Sequence, residues 1–361
     1  MRRITLFIGS LSGGGAERVT CNLANYLYEN GYSVDVLTMS NTMDTYRLNN
    51  GVNRICLLDK KERKGRIYNY WIRTKRLKQY VVNNQNVACY VVMLPITIFM
   101  LIRLKKLTKS KMVISERNNP SSYKLYEKMM MKYAVKRCDG LVVQTKEIGK
   151  WYKNAKNKVV MPNAINKDIV FPKREKIEKR IVTVSRLEKQ KNLPMLINAF
   201  KIFSQKHPDY KLEIYGKGSQ EQKLKELVLK LHLNDKIELM GYVDDVSEKI
   251  VNAACFALTS NYEGMPNALI EAMCIGIPCI ATDCDGGGVR ELIENGENGF
   301  LIKKEDVDSL VNALESIVLD KKRSKAISMK AKKTRTELSY DKIYNKWMGF
   351  IERSINGEMK A

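Results

Sequence analysis

Two glutamates separated by seven residues bracket a segment that could bind a phosphorylated, hydroxyl-rich ligand. The segment runs from Glu263 to Glu271 and has the sequence EGMPNALIE. It follows the apolar run from Cys255 to Leu258, typical of a buried strand, and leads into an apolar stretch typical of a helix. Pro266 suits the first helical turn, where its missing N–H costs no hydrogen bond.

A helix that begins at this proline would create an anion site. The amides of Asn267 and Ala268 would point out of the helix N-terminus, which attracts negative charge. Glu263 would stand just before this N-terminus and Glu271 about two turns inside the helix, so both could accept hydrogen bonds from ligand hydroxyls. Solvated acids at a helix terminus would have the same spacing, and other motifs must decide between these interpretations.

A basic loop supplies the charge that a phosphate ligand would need. Arg186 and Lys191 lie in the stretch VSRLEKQKN, between a predicted strand and a predicted helix. Ligands bind at the carboxyl ends of the strands in open α/β sheets. Two cations there could neutralise a departing diphosphate, and one such contact is worth roughly 3–4 kcal/mol in a transition state. A solvated basic loop is the alternative, because Lys189 is adjacent.

Glycine-rich turns follow three further predicted strands. The first contains Gly14 and Gly15, which would let backbone amides approach a ligand closely. Gly216 lies in the turn YGKG, which again offers close backbone approach, and Val243 lies in the turn GYV, where the backbone could hold the nucleotide base. The first turn does not have the GxGxxG spacing of a dinucleotide site. Each of these segments could also be a plain turn.

These segments together resemble the retaining nucleotide-sugar glycosyltransferases of family 4, which have the GT-B fold. In that family the first glutamate contacts the donor sugar, the second contacts the ribose, and the Arg and Lys contact the diphosphate. The resemblance covers nearly the whole chain and implies catalytic roles for Glu263, Arg186 and Lys191. It implies donor-binding roles for a larger set: Gly14, Gly15, Gly216, Val243, Gly264, Met265, Pro266, Asn267, Ala268 and Glu271.

The resemblance also implies a reaction. A hexose or N-acetylhexosamine would pass from a nucleotide diphosphate, expected to be UDP, to a hydroxyl of a lipid-linked or polysaccharide acceptor. Retention of the anomeric configuration and independence from metal ions or other cofactors are implied as well. Many members carry a histidine in the loop that here reads ERNNP, so we assign Arg117 and Asn118 to the acceptor side and name no general base.

Alternating apolar strands and amphipathic helices predict an α/β fold with two doubly wound domains that face each other across a cleft. We expect an N-terminal, acceptor-binding domain at residues 1–164 and a linker at 165–179. A nucleotide-sugar domain would occupy residues 180–340. The resemblance implies that a final helix, residues 341–361, crosses back onto the first domain.

The composition suits a cytoplasmic protein. The 361 residues begin with no secretory signal pattern, and the longest apolar stretch, residues 87–102, contains Pro95 and is too short to span a bilayer. The eight cysteines include no CxxC pair, which predicts reduced, buried thiols and no metal site.

Positive charge is concentrated in the first half of the chain. Residues 1–170 carry a net charge of +20 and residues 171–361 carry +4. Such a field favours an anionic partner for the first half: a membrane surface, a lipid diphosphate or nucleic acid. No recognition helix or base-stacking motif supports nucleic acid.

One basic helix is the first candidate for membrane contact at the inner face of the plasma membrane. Within residues 60–80 and just beyond, Ile67, Tyr70, Trp71, Leu77 and Val81 share one face, and the remaining surface is basic. A helix of this kind can lie on an anionic bilayer. Alternatively, the same apolar face packs on the sheet and the cations are simply solvated.

Two other functions fit parts of the sequence. A nucleotide-sugar epimerase could share the architecture, but it would act on the donor alone. A non-catalytic protein that binds glycans or lipids would keep the basic half without needing Glu263 or Arg186. An assay with a single substrate separates the epimerase from the transferase.

Overall fold

The computed structural model describes residues 1–41, 45–167, 169 and 171–358. It divides the chain into two compact units. Unit 1 contains the residues up to Asn166 together with the C-terminal segment from Tyr340, and unit 2 runs from Lys167 to Ser339. Residues 168 and 170 of the predicted linker and residues 359–361 of the predicted final helix lie outside the described residues.

Unit 1 is built on a seven-stranded parallel sheet with the order β3-β2-β1-β4-β5-β6-β7. The central strands are continuous apolar runs because helices cover both faces of a parallel sheet. The strands are β1 Arg3–Ile8, β2 Ser33–Thr38, β3 Asn53–Cys56, β4 Val87–Met93, β5 Lys111–Glu116, β6 Gly140–Val143 and β7 Lys158–Val160.

The helices of unit 1 follow its strands along the chain. The C-terminal helix, Tyr340–Asn356, also belongs to this unit. It buries Ile343, Trp347 and Ile351, and its Tyr340 hydroxyl donates a hydrogen bond to the carbonyl of Asn22 at 3.0 Å. The other helices are α1 Gly15–Glu29, α2 Arg66–Asn83, α3 Pro95–Ile102, α4 Leu125–Val135 and α5 Lys146–Trp151.

Unit 2 repeats the pattern with a six-stranded parallel sheet in the order β10-β9-β8-β11-β12-β13. Apolar clusters pack on its strands; the larger one includes Phe200, Phe203 and Leu314, all fully buried. The strands are β8 Glu178–Val184, β9 Lys211–Tyr215, β10 Ile237–Gly241, β11 Ala253–Leu258, β12 Cys279–Thr282 and β13 Phe300–Ile302.

The helices of unit 2 alternate with these strands and then form a helical tail. They are α6 Leu193–Lys206, α7 Glu221–Lys230, α8 Val246–Ile250, α9 Asn267–Ile275, α10 Gly288–Leu292, α11 Val307–Leu319, α12 Lys321–Ala331 and α13 Thr334–Glu337.

The strand order reverses once in each sheet, and this reversal sets where a ligand can bind. The chain leaves β1 in one direction and β4 in the other, so the loops after these strands diverge; β8 and β11 have the same relation in unit 2. A crevice therefore opens at the carboxyl ends of the two strands. Each sheet thus has one expected binding position.

Part of the segment expected to be a linker is anchored in unit 2. Glu178 begins β8, and the Arg174 guanidinium donates hydrogen bonds to the carbonyls of Ala253, at 2.6 Å, and Gly276. The guanidinium thereby fixes this segment to the ends of two other elements of unit 2. These contacts could not be predicted from the sequence, because they join residues about 80–100 positions apart.

The described residues contain no helix with the length and apolar character needed to cross a membrane. All eight cysteines are free, and six of them are buried, in keeping with the expected reduced thiols. Burial raises the pKa of the Cys21 and Cys89 thiols to about 12. These cysteines therefore behave as small apolar core residues.

Candidate functional site

The loop after β8 presents Lys191 at the reversal of strand order in unit 2. Lys191 ends a short 3-10 turn, Lys189–Lys191, and the next residue, Asn192, has a left-handed backbone with φ of 45°. The Thr259 hydroxyl, just after β11, donates a hydrogen bond to the Lys191 carbonyl at 3.0 Å. The Thr259 side chain thus ties the loop after β11 to the backbone of the loop after β8, which fixes where the lysine side chain starts.

A buried ion pair joins these two loops. The Lys191 ammonium donates a hydrogen bond to Oε1 of Glu263, and the side chains are 14% and 8% exposed. The Ser260 hydroxyl donates to the same oxygen at 2.7 Å. Within the described residues, Oε2 of Glu263 accepts no hydrogen bond. The pair therefore orients the carboxylate and leaves one oxygen able to accept a hydrogen bond from a ligand hydroxyl.

The helix after Glu263 begins one residue later than we expected. Pro266 precedes α9 with φ of −78° and ψ of 105°, so it lies before the first turn instead of inside it. Glu271 is consequently a little over one turn into the helix, and the expectation of two turns is wrong. No side chain caps the N-terminus of α9. The first amides of a helix lack intrahelical partners, and Asn267 and Ala268 occupy the first two positions of α9, where the sequence predicted an anion site.

A second loop, residues 283–288, holds the Glu263 segment in place. The Glu263 amide donates a hydrogen bond to the Asp285 carbonyl at 2.9 Å. Gly288 lies so close that a Cβ on it would be 1.6 Å from the carbonyl oxygen of Gly264. Only glycine fits there without moving the backbone. We predicted no role for this loop from the sequence, although its three consecutive glycines at 286–288 were a visible signal.

The other predicted donor residues of unit 2 lie in neighbouring loops. Arg186 is exposed in the loop after β8, and no contact within the described residues joins it to Lys191 or Glu263. Gly216 has φ of +135°, and a Cβ there would be 1.8 Å from the Ser185 carbonyl oxygen. The absence of a side chain at Gly216 therefore makes room for the Ser185 backbone. Val243 is half-buried in the loop after β10. Strand β9 lies between β10 and β8, so β9 separates this loop from the one that carries Arg186.

The glycine turn of unit 1 is exposed at the N-terminus of α1. Gly14 precedes the helix, Gly15 is its first residue, and no side chain caps this terminus. Gly13 has a left-handed φ of 106°, which favours glycine. The turn follows β1, one of the two strands at the reversal of order in this sheet. It has the position and the exposure that a ligand contact requires.

The loop after β5 separates the two predicted acceptor residues. Asn118 is exposed, whereas Arg117 is 7% exposed and donates hydrogen bonds to Ser115 at 2.8 Å and Asn163 at 3.1 Å. The Trp347 ring lies 5.2 Å from its guanidinium carbon. Burial lowers the pKa of Arg117 to about 10, so it remains charged at neutral pH. Its contacts are with unit 1 itself, and sequence reasoning missed these partners because they are far apart in the chain.

The basic helix α2 combines both interpretations given above. Its C-terminal half buries Leu77 and Val81 against the sheet, while the N-terminal half leaves Ile67, Tyr70 and Trp71 exposed by 89%, 41% and 56%. The sheet therefore covers the apolar face only along the second half of the helix, and the first half stays uncovered in unit 1. The exposed half is an apolar and aromatic surface with cations beside it, such as Lys75, whose ammonium lies 5.4 Å from the Trp71 ring.

Two family profiles match consecutive parts of the chain. The profile described as Glycosyltransferase Family 4 matches residues 13–169, and the profile described as Glycosyl transferases group 1 matches residues 165–334. The division between them falls where the structure changes from unit 1 to unit 2.

Relatives of the whole chain have related names. An uncharacterized glycosyltransferase of Haemophilus influenzae is 28% identical over 97% of this chain and 100% of its own length. A Campylobacter jejuni protein named GalNAc-alpha-(1->4)-GalNAc-alpha-(1->3)-diNAcBac-PP-undecaprenol alpha-1,4-N-acetyl-D-galactosaminyltransferase is 25% identical over 99% of this chain and 100% of that protein.

Solved structures share the fold at low sequence identity. Sucrose-phosphate synthase from Thermosynechococcus elongatus has a TM-score of 0.82 at 17% identity, over 99% of this chain and 100% of that one. HepE from Anabaena, solved with UDP, has a TM-score of 0.80 at 15% identity, over 98% and 100%. The predicted GT-B fold, with two α/β units on parallel sheets, is confirmed. With both profiles and the full-length relatives in agreement, the chain belongs to the family 4 and group 1 glycosyltransferases.

Proposed function

We propose that this glycosyltransferase moves a hexose or N-acetylhexosamine from a UDP-linked donor to a hydroxyl of a lipid-linked or polysaccharide glycan, with retention at the anomeric carbon and without a metal ion. The observation that carries the proposal is the buried Lys191–Glu263 pair beside the uncapped N-terminus of α9. Cation, carboxylate and helix amides lie together at the one position of this sheet where a ligand is expected.

Each group has a distinct task in the transfer. The bond between the anomeric carbon and the diphosphate breaks and its electron pair leaves with the diphosphate. The acceptor oxygen bonds to the same carbon, and its proton passes to an oxygen of the departing diphosphate. Negative charge therefore develops on the diphosphate, where Lys191, Arg186 and the amides of Asn267 and Ala268 stabilise it. Glu263 accepts a hydrogen bond from a sugar hydroxyl through Oε2, and Glu271 accepts from the ribose.

The names of similar proteins support the choice of donor and acceptor. HepE was solved with UDP, and the Campylobacter relative is named for a substrate on PP-undecaprenol. These names support a UDP-linked donor and a lipid-linked acceptor. We assign the nucleotide sugar to unit 2 because Glu263, Lys191 and the N-terminus of α9 lie there, and we assign the acceptor to unit 1. Asn118 is the candidate contact with the acceptor, and Arg117 supports the loop that presents it. Gly14 and Gly15 remain candidate contacts with the donor.

We further propose that unit 1 contacts an anionic membrane surface at the inner face of the plasma membrane. The exposed half of α2 supplies an apolar anchor in Ile67 and Trp71, and the excess of cations supplies attraction at about 1 kcal/mol for each cation near the surface. This arrangement would bring the enzyme to a lipid-linked acceptor.

The donor site predicts a selective loss in Lys191→Ala. We expect UDP or its cognate UDP-sugar to raise the melting temperature of the wild-type protein, because a ligand bound only by the folded state stabilises it. In the variant this rise should shrink, and the transfer rate should fall about 100-fold, the usual effect of losing one charge-stabilising contact.

Lys189→Ala is the matched control, because Lys189 lies on the same turn with an exposed side chain. Normal turnover in Lys191→Ala, or an equal loss in both variants, would remove Lys191 from the site. Conversion of the donor sugar without any acceptor would indicate an epimerase.

The close contact at Gly288 predicts that Gly288→Ala damages the donor site. The added Cβ must displace the Gly264 backbone and with it Glu263, so we expect at least a 10-fold loss of kcat/KM for the donor with the overall fold retained by circular dichroism. In the control Gly349→Ala, the Cβ would meet only the Arg353 side chain at 3.4 Å. Kinetics like those of the wild type in Gly288→Ala would show that the loop does not position the carboxylate.

The membrane contact predicts binding to vesicles that contain phosphatidylglycerol, weakening as salt screens the charges. Ile67→Ala combined with Trp71→Ala should reduce this binding at least 10-fold, since burying each side chain is worth about 1.5–3 kcal/mol. Leu229→Ala is the control, because Leu229 is 61% exposed on α7 of unit 2. Co-sedimentation measures the binding; no binding at low salt, or equal binding by both variants, would contradict the proposal.

A further inference from the structure

A groove between α4 and α5 of unit 1 has no role in the transfer reaction described above. Its volume is about 810 Å³, within the range of small-molecule sites. Apolar and aromatic side chains line it, among them Met131, Val135, Tyr123, Tyr152 and Trp151. Such a lining suits an apolar ligand or the apolar part of an amphiphile.

A buried carboxylate holds two of the aromatic side chains that line the groove. The hydroxyls of Tyr123 and Tyr152 both donate hydrogen bonds to the carboxylate of Glu116, the latter at 2.5 Å. Glu116 is 1% exposed, and burial raises the pKa of its carboxyl group. A buried carboxyl that holds two tyrosines makes the groove a preformed feature and not a chance gap between two surface helices.

Lysines surround this apolar lining. Lys128 and Lys132 on α4 and Lys136 at its C-terminal cap recur every four residues, which places them on one side of the helix. Lys150 and Lys153 add two cations from α5 and the following turn. All five are exposed, and in the described part of the chain none of them forms an ion pair. Glu147 is the acid among the lining residues. The rim is therefore strongly cationic and suited to more than one negative charge.

Exposed apolar side chains continue outward from the groove. Leu125 and Met129 on α4 are 76% and 65% exposed, and Trp151 is 53% exposed with the Lys128 ammonium 6.0 Å from its ring centre. Large apolar residues clustered on a surface mark an interaction site. Here the cluster lies beside the lysines, so apolar and anionic parts of one ligand could both be satisfied.

We propose that this groove binds the diphosphate end of a lipid carrier, with the first part of the chain along the apolar lining and the phosphates among the lysines. A small anion would use the lysines and leave the lining empty, and a neutral lipid would leave five cations unsatisfied. The inference rests on the proposed function, because a lipid diphosphate is the carrier expected for the acceptor glycan. It adds a second site that recognises the carrier and not the sugars.

The test is calorimetric titration of the full chain with farnesyl diphosphate, compared with inorganic diphosphate and with farnesol. We expect farnesyl diphosphate to bind at least 10-fold more tightly than either half-ligand. Lys132→Ala combined with Lys136→Ala should weaken the binding of farnesyl diphosphate at least 10-fold and reduce the salt dependence of that binding. Trp151→Ala should weaken the binding of farnesyl diphosphate but not that of inorganic diphosphate. The matched control is Lys322→Ala with Lys325→Ala, two exposed lysines on α12 of unit 2.

Three outcomes would overturn the proposal. Equal affinity for farnesyl and inorganic diphosphate would mean that only surface cations act, and no binding at all would leave the groove without this ligand. A loss of phosphatidylglycerol vesicle binding in the α4 and α5 variants, with farnesyl diphosphate affinity unchanged, would assign the groove to bilayer lipid instead. Stabilisation by the UDP-sugar, measured on the same variants, separates these failures from failure of the donor site.

Discussion

A largely buried ion pair, Lys191–Glu263, is the constraint on which the site of unit 2 depends. Removing a carboxylate and an ammonium from water costs several kcal/mol for each ion, and only good geometry with further hydrogen bonds offsets that cost. Lys191 and Glu263 meet this condition because a side-chain hydrogen bond ties their loops together and Ser260 supplies an additional donor. The arrangement is costly to maintain if stability alone is considered, which favours a functional reason for it.

The surrounding structure can be understood as support for this pair. The reversal of strand order brings the loops after β8 and β11 side by side, and the close contact between Gly288 and Gly264 fixes the backbone at the carboxylate. The short helix α9 begins four residues after Glu263, and no side chain caps its N-terminus. Preorganised charges and dipoles of this kind need not rearrange when charge develops on a leaving group, which is the main way in which enzymes use electrostatics.

The two α/β units and the strand–turn–helix segments of unit 2 could be predicted from the sequence because their patterns are local. The EGMPNALIE segment and the Arg186–Lys191 loop each combine a strand end, a turn and a helix start within about ten residues. Such local patterns do not depend on contacts between residues that are far apart in the chain. What failed depended on distant contacts. The sequence did not show that Gly216 faces the Ser185 backbone, that Arg117 is enclosed by Asn163 and Trp347, or that only half of α2 is covered.

Short edge elements were missed for a related reason. Strands β3, β7 and β13 have three or four residues each, too few to show a period, and their pairing with a neighbour defines them. Helix α3 is apolar on almost all sides, so periodicity could not distinguish it from a buried strand. The organisation of unit 1 was therefore harder to predict than that of unit 2, and its basic groove emerges only from the positions of α4 and α5 in the structure.

The most direct measurement is a crystal structure of the protein with UDP bound. The account predicts the diphosphate within hydrogen-bonding distance of the Lys191 ammonium and the amides of Asn267 and Ala268, with Glu271 contacting the ribose. UDP bound at another position of unit 2, with the Lys191–Glu263 pair not contacting it, would contradict the account.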